Sequence, residues 1–337
     1  MKILVFLEES SVRGGIEVFA ERHVAKLRDA GHEVDVWHEL PISDGRRETA
    51  DARGMPFGTY DEIIVHKCSD VTTLEKFPPE KTTCYVHDHE PICPRTYAYT
   101  PFRRNCSRSS GVWPCLFCAP LCRSWKAALF RVFAQGRRKR AMARFRRIVV
   151  ISEFMKSRLV ANGLPSEKIA VEPPPIVTPP PPSLSTFHPS PFTIHSSIDL
   201  LYVGQLIRGK GVQLLLEAMA RMSSPRTLDV VGTGNMEAKL KAQATRLGLA
   251  ERVRWRGFQA NPFDWMRAAK CVVVPSFWQE PYGLVAAEAV ALGKSVVAFA
   301  IGGLPEACHG KATLVPPGDV DALARALDDQ PSDGAGT

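Results

Sequence analysis

The feature that most constrains this chain is a run of prolines near its middle: Pro173 to Pro175, Pro179 to Pro182, Pro189 and Pro191. Proline fixes φ and has no backbone N–H to donate, so neither a helix interior nor a central strand can form there. The run reads as an interdomain linker over 173–198, and polyproline segments of this kind are stiff and extended. It divides 337 residues into two parts of ordinary domain size. With 45% hydrophobic and 23% charged residues, both parts can bury a core, and disorder is excluded.

On each side of the linker, short apolar runs rich in β-formers alternate with helical patterns, the order that builds parallel sheets from βαβ units. The predicted strands are Ile3 to Glu8, Glu33 to Trp37, Glu62 to Lys67, Thr82 to Asp88, Arg147 to Ser152 and Ile169 to Glu172 before the linker. After it they are Leu200 to Gly204, Leu228 to Gly232, Val253 to Gly257, Cys271 to Pro275 and Ser295 to Phe299. The expected fold is α/β, with two doubly wound Rossmann-like domains, 1–172 and 199–330, facing a central cleft, and a tail at 331–337. Ligands of such sheets bind beyond the carboxyl ends of the strands, so the chemistry belongs in the loops that leave them.

Two of those loops carry the main signal. Glu280 stands just before a predicted helix that begins near Tyr282 and Gly283, and Glu288 lies about two turns into it, some 8 to 10 Å along the axis at 1.5 Å per residue. Each carboxylate can accept two hydroxyl hydrogen bonds, which suits a hexose at one end and a ribose at the other. Between them, the N–H groups of Tyr282, Gly283, Leu284 and Val285 can hold a diphosphate. After the first strand of the second half come Arg208 and Lys210, a fork and a point charge suited to a departing phosphoryl group. Gly14 and Gly15 precede the first helix and allow close approach of an anion. Against these readings stand plain ones: a capping Glu280, a surface Glu288, a solvated turn and a sterically required glycine pair.

These residues resemble the retaining, nucleotide-sugar-dependent glycosyltransferases of the GT-B fold, family-4 group. The likeness runs from Lys2 to Leu327 and rests on the E-x7-E motif at Glu280 and Glu288, in the setting P-S-x-x-x-E-P-Y-G-L-x-x-x-E-A. Gly14-Gly15-Ile16-Glu17, Tyr85-Val86-His87-Asp88, Gly209-Lys210-Gly211 and Gly302-Gly303-Leu304-Pro305-Glu306 also match. The resemblance implies that Glu280 binds donor-sugar hydroxyls, Glu288 the ribose, and Arg208 and Lys210 the diphosphate. It implies that Gly15 lets the first loop approach the transferring sugar and phosphate, that His87 lines the sugar side of the pocket, and that the backbone near Gly257 and Phe258 holds the base. It further implies catalysis without a metal or other cofactor, the departing phosphate oxygen deprotonating the acceptor on the same face. The chain departs from the family in having Gln205 where Arg is common, and Pro173 to Val177 where Asn-Gly-Val is usual. The family chain also normally runs on and crosses back to the first domain, whereas this sequence stops at Thr337.

A cysteine-rich basic insert occupies about 91–147. From Pro91 to Val150 there is no acidic residue and there are 14 Lys and Arg, leaving the remainder mildly acidic. Cys106, Cys115, Cys118 and Cys122, with Cys93 as an alternative, either form a structural zinc site or remain reduced thiols. Cys68, Cys84, Cys271 and Cys308 are expected in the core. The helical pattern with Trp125, Leu129, Val132 and Phe133 on one stripe either docks its basic segment, 123–147, on an anionic membrane or packs on the first sheet. Ile3 to Leu7 is too short for a signal peptide, and no stretch reaches about 20 apolar residues, which places the expected enzyme in the cytoplasm, peripheral at the inner face of the plasma membrane. The expected activity is transfer of a hexose from a nucleoside-diphosphate sugar to a glycan or lipid-linked acceptor, in cell-envelope or exopolysaccharide synthesis. A non-catalytic polyanion-binding protein on the same scaffold, or a nucleotide-sugar epimerase, is the alternative.

Overall fold

The computed structural model describes residues 1–8, 15–39, 56–93, 105, 106, 115, 125–176, 178 and 198–330, with only the backbone path for 125–131. The chain forms two compact units, Met1–Pro174 and Pro175–Thr337.

The first unit follows the order β1 (Lys2–Glu8), α1 (Gly15–Asp29), β2 (Glu33–Glu39), β3 (Glu62–Lys67), α2 (Val71–Leu74), β4 (Thr82–Val86), α3 (Trp125–Arg144), β5 (Arg147–Val150), α4 (Glu153–Val160) and β6 (Ile169–Val171). Its six strands are all parallel, in the order β2-β1-β3-β4-β5-β6. Ile3 to Leu7, Ile63 to Val65 and Ile148 to Val150 are buried without alternation, as expected of parallel strands covered on both faces. Each of the six predicted strands is present; β4 and β5 end two residues earlier than expected, β6 one residue earlier, and β2 two residues later.

Helix α3 bears on one of the open alternatives. Val132 is buried and Ala141, Met142 and Phe145 pack into the core of the unit, whereas Phe133, expected on the same stripe as Val132, is 56% exposed. Arg138 is buried too, and its guanidinium donates to the Ser69 carbonyl and lies 3.3 Å from the Glu90 carboxylate. Arg137 Nε donates to Glu75 Oε1 at 3.0 Å, and Lys139 Nζ to the Asn162 carbonyl at 3.2 Å. Three consecutive cations of the basic run are thus engaged within the unit, which favours the packed crossover helix at this point, and Arg140 is the exposed one of the four. No helix among the described residues is long and apolar enough to cross a membrane.

The second unit runs β7 (Ile198–Val203), α5 (Val212–Arg221), β8 (Leu228–Val231), α6 (Glu237–Arg246), β9 (Val253–Gly257), α7 (Phe263–Ala268), β10 (Ala269–Val274), α8 (Leu284–Ala291), β11 (Ser295–Phe299), α9 (Leu304–Ala307), β12 (Thr313–Val315) and α10 (Val320–Asp328). Six parallel strands lie in the order β12-β11-β10-β7-β8-β9. The edge strand β12 escapes a hydrophobic pattern because it is three residues long and exposes Thr313 and Leu314. β7 begins at Ile198, inside the predicted linker, because that side chain is buried in the core. The described linker residues, 173–176 and 178, carry no helix or strand, and the rest of the linker and the tail at 331–337 lie outside the described residues.

Cys68, Cys84, Cys271 and Cys308 are buried, as expected. Of the zinc candidates, Cys93, Cys106 and Cys115 are half-buried, and Cys118 and Cys122 lie outside the described residues. Among the described residues, no group of three or more His, Cys, Asp or Glu is arranged to hold a metal.

Replacing Arg138 by Ala leaves Glu90 without its buried counter-charge and the Ser69 carbonyl without its donor, and is expected to cost about 3 kcal/mol. Arg140→Ala should stay within about 0.5 kcal/mol of the parent. Urea unfolding of the two variants measures the difference, and equal stabilities would mean that Arg138 does not secure α3.

Candidate functional site

In the second unit, β10 is buried from Cys271 to Val274 and leaves the sheet at Pro275, where proline ends the ladder. The loop that follows is fastened to the turn after β7. The Phe277 N–H donates to the Gly209 carbonyl at 3.1 Å. Gly211 has φ +78°, and a Cβ there would lie 1.7 Å from the Pro275 carbonyl oxygen, so only glycine permits this approach. The same contact delivers Lys210. Its Nζ lies 2.6 Å from Glu280 Oε1 and 5.2 Å from the centre of the Trp278 ring, whose indole N–H donates to the same oxygen at 2.7 Å.

Glu280 is 6% exposed. Burial alone would raise its carboxyl, but the Lys210 charge and hydrogen bonds from Lys210, Trp278 and Ser276 outweigh it, holding the group below the usual range. It is a buried carboxylate kept ionised by one cation and two neutral donors. From behind, Gly303 N–H donates to the Glu280 carbonyl at 2.8 Å, and Gly302, at φ +61°, sits where a Cβ would lie 2.3 Å from that oxygen.

The structure thus brings Glu280 and Lys210 into direct contact, where the sequence suggests separate partners for sugar and phosphate. Arg208 is exposed and makes no ion pair among the described residues. Tyr282 is buried, Gly283 caps α8 at φ +116°, and the free N–H groups of the first turn belong to Leu284, Val285 and Ala286. Because α8 starts at Leu284, the half-buried Glu288 lies one turn in, about 6 Å along the axis, and not two. Gly257, at φ +67°, ends β9, its carbonyl accepting from the Gly232 N–H at 2.7 Å, and the adjacent Phe258 is 72% exposed. Ser276 and Trp278 are hydrogen-bond partners of Glu280 that the sequence pattern did not single out, although Ser276 stands inside the quoted motif.

In the first unit, Gly14 lies outside the described residues, and Gly15 is the exposed first residue of α1. His87 follows β4 and is half-buried. Its ring centre lies 4.9 Å from that of Phe19, and its Nε2 is 3.0 Å from His66 Nδ1. Burial pushes His87 down to about 3, so it is neutral at physiological pH. Burial and the neighbouring Glu90 push Asp88 up to about 6.

Comparison with known proteins bears on the second unit first. Residues 197–331 match the family model described as glycosyl transferases group 1. Over 129 residues the chain is 41% identical to a D-inositol 3-phosphate glycosyltransferase of Streptomyces scabiei, a match covering 36% of this chain and 29% of that protein. A protein of the same description from Pseudarthrobacter chlorophenolicus is 34% identical over 211 residues, covering 54% and 48%. The matches span less than half the length of these curated relatives. Among solved structures, HepE of Anabaena in complex with UDP-glucose aligns over 97% of this chain and 89% of its own, with TM-score 0.66 and 22% identity. WaaG, a glycosyltransferase involved in lipopolysaccharide biosynthesis, aligns over 96% and 90%, with TM-score 0.63 and 17% identity. The group 1 domain therefore sits in a chain with the two-domain α/β fold of GT-B glycosyltransferases.

Within that domain, the ion pair makes a signed prediction. Glu280 is lowered when folded, so its contribution is present above the unfolded carboxyl value and is lost as pH falls through the folded one. Lys210→Met leaves a buried unpaired carboxylate and should cost about 3 to 5 kcal/mol at pH 7. The deficit should shrink towards pH 4, as the stranded group protonates. Denaturant titrations across that range test it, and a pH-independent deficit would remove the ion pair from the account.

Proposed function

We propose that this protein is a retaining glycosyltransferase that moves a hexose from a nucleoside-diphosphate sugar to a glycan or lipid-linked acceptor. The observation that carries the reading is the buried, ionised Glu280 at the carboxyl end of β10, immediately ahead of a helix N-terminus, inside the group 1 domain. A carboxylate offers about four lone-pair positions. Lys210, Trp278 and Ser276 take three, so Glu280 has room for a sugar hydroxyl without losing its scaffold.

The first-turn N–H groups of Leu284, Val285 and Ala286 would meet the diphosphate, with the exposed Arg208 as the mobile cation. Lys210 would shift from Glu280 towards the phosphate as negative charge develops there. Glu288 would take the ribose, and Phe258, exposed beside Gly257, would cover the base. No residue of the chain is required as a nucleophile. The phosphate oxygen that leaves the sugar accepts the acceptor hydroxyl's proton on the same face, while the acceptor oxygen forms the new bond to the anomeric carbon.

Support comes from HepE, solved with UDP and with UDP-glucose, and from the lipopolysaccharide enzymes WaaG and WaaB among the structural neighbours. These favour a uridine nucleotide and an acceptor of cell-envelope synthesis; an exopolysaccharide acceptor and access from the cytoplasmic side belong to the same proposal. The polyanion-binding alternative loses ground because Arg137 and Arg138 are engaged inside the first unit.

Glu280 also anchors Lys210 and Trp278, so Glu280→Gln, which keeps the shape, is the informative variant. It should retain UDP-induced thermal stabilisation while kcat for UDP-sugar transfer falls by about 10²-fold or more, the range seen when one transition-state contact is removed. Glu288→Ala should do the reverse, weakening UDP binding with a smaller loss in kcat. Full turnover by Glu280→Gln, or no stabilisation of the parent by any nucleoside diphosphate, would overturn the reading.

A further inference from the structure

The first unit contains three histidines in line. His23 Nδ1 lies 3.0 Å from His66 Nε2, and His66 Nδ1 lies 3.0 Å from His87 Nε2. The three come from separate elements: His23 from α1, His66 from the middle of the sheet on β3, and His87 from the end of β4. Phe19 and Tyr85 pack around them, with the His66 and His87 rings stacked at 5.3 Å and the Tyr85 ring 4.8 Å from His66. His66 is 1% exposed, and burial holds it well below the ordinary histidine range, so it stays neutral.

A neutral imidazole has one N–H and one bare nitrogen. The middle ring uses both nitrogens, so it must donate to one neighbour and accept from the other, and the three rings must share one tautomer. If all carry the proton on Nε2, His87 donates to His66, His66 donates to His23, and His87 Nδ1 is a bare acceptor. If all carry it on Nδ1, both bonds reverse and His87 Nδ1 becomes a donor. The histidine itself matches the family motif; the chain behind it does not come from that motif. We propose that His23 and His66 are positioning residues that set, through this relay, whether His87 Nδ1 accepts or donates a hydrogen bond to a sugar hydroxyl. The proposal rests on the transferase reading for its ligand and on the two imidazole contacts for its mechanism.

The direction follows from charge conservation along the chain. Protonation of His23 leaves it two N–H groups and nothing to accept with, so its Nδ1 must donate to His66. His66, its Nε2 now accepting, carries its proton on Nδ1 and donates a hydrogen bond to His87 Nε2, so His87 carries its own proton on Nδ1. One proton is taken up at His87 Nδ1, one crosses from His87 to His66 and one from His66 to His23, so the charge settles on His23 and the acceptor at His87 is replaced by a donor. The groups facing the chain are Glu17 and Lys26 on α1, Glu62 and Lys67 on β3, Tyr85 on β4 and Glu172 beyond β6, whose carboxylate accepts from the Tyr85 hydroxyl at 3.0 Å. Glu172 and Glu62, opposed by Lys26, favour a proton on the outward nitrogen of His23, whereas at His87 the single carboxylate Glu17 is opposed by Lys67. The neutral chain therefore rests with His87 Nδ1 as the acceptor. Burial lowers His23, so the switch to donor comes below its ordinary titration range.

The test is ¹⁵N NMR of the full chain with labelled histidine, in the parent and in His23→Leu and His23→Gln, beside kcat and KM for UDP-sugar transfer against pH. In the parent, the three rings should share the Nε2–H form at pH 8, and His87 should acquire Nδ1–H as His23 protonates. Both variants should abolish that change. Activity should follow, with an acid limb in kcat that disappears in the variants while KM for the nucleotide sugar moves less than twofold. His23→Gln keeps a polar partner for His66 and serves if His23→Leu does not fold. Mixed tautomers among the rings, a His87 state indifferent to His23, or an unchanged kcat profile would each overturn the proposal. Coupled tautomers with no transfer from any nucleotide sugar would uphold the relay and count against the transferase reading instead.

Discussion

The second unit's site depends on one steric constraint, the contact of the Gly209-to-Gly211 turn with the loop leaving β10. That contact is between backbones, with the Gly211 Cα facing the Pro275 carbonyl and the Gly209 carbonyl accepting from Phe277. Because neither side yields, Lys210 arrives beside Glu280, and the carboxylate can be buried without losing its charge. An unpaired carboxylate at this depth would protonate and become a poor acceptor for a sugar hydroxyl. The glycines on either side of Lys210 are therefore as much a part of the site as the charges they place, and the same holds for Gly302 and Gly303 behind Glu280.

How far the sequence could be read depended on whether a feature was local. Continuous apolar runs announce buried parallel strands directly, so Ile3 to Leu7 and Cys271 to Val274 are legible without any partner. β12 is not, because an edge strand of three residues with two exposed carries no pattern to detect. The acidic pair was visible as a spacing, but the helix start that sets its geometry was not. Gly283, read as part of the helix opening, adopts φ +116° and delays the first turn to Leu284. Tertiary pairing was less legible still. Arg138 in the sequence is one cation among four, and only the fold reveals Ser69 and Glu90 beneath it. Charge runs are usually solvated faces, and here the fold turned one member inwards.

The histidine chain lies at the far end of that scale. His23 and His66 are 43 residues apart, and His66 and His87 are 21 apart, so no window of sequence contains the arrangement. Strand order creates it: β3 and β4 are neighbours in the parallel sheet, and α1 crosses between β1 and β2 to bring His23 over them. The motif around Tyr85 to Asp88 identified the end of the chain and was silent about what stands behind it.

The two units use burial in opposite ways, and the contrast fits the chemistry proposed for each. At Glu280, donors overcome burial, and the group stays charged. At the end of β4, burial prevails: His87 is pushed down to about 3 and Asp88 up to about 6, so both are biased towards their neutral forms. A charged acceptor with an adjacent cation and helix start can balance a diphosphate whose charge grows as the sugar departs. Neutral imidazole suits a different task, orienting an uncharged hydroxyl without competing for that diphosphate. In the proposed reaction, a permanent cation at His87 would also attract the leaving phosphate and blur the distinction between the leaving group and the acceptor. Keeping the imidazole neutral removes that competition, and a relay of neutral rings can still alter its hydrogen-bonding sense without leaving a charge in the sheet.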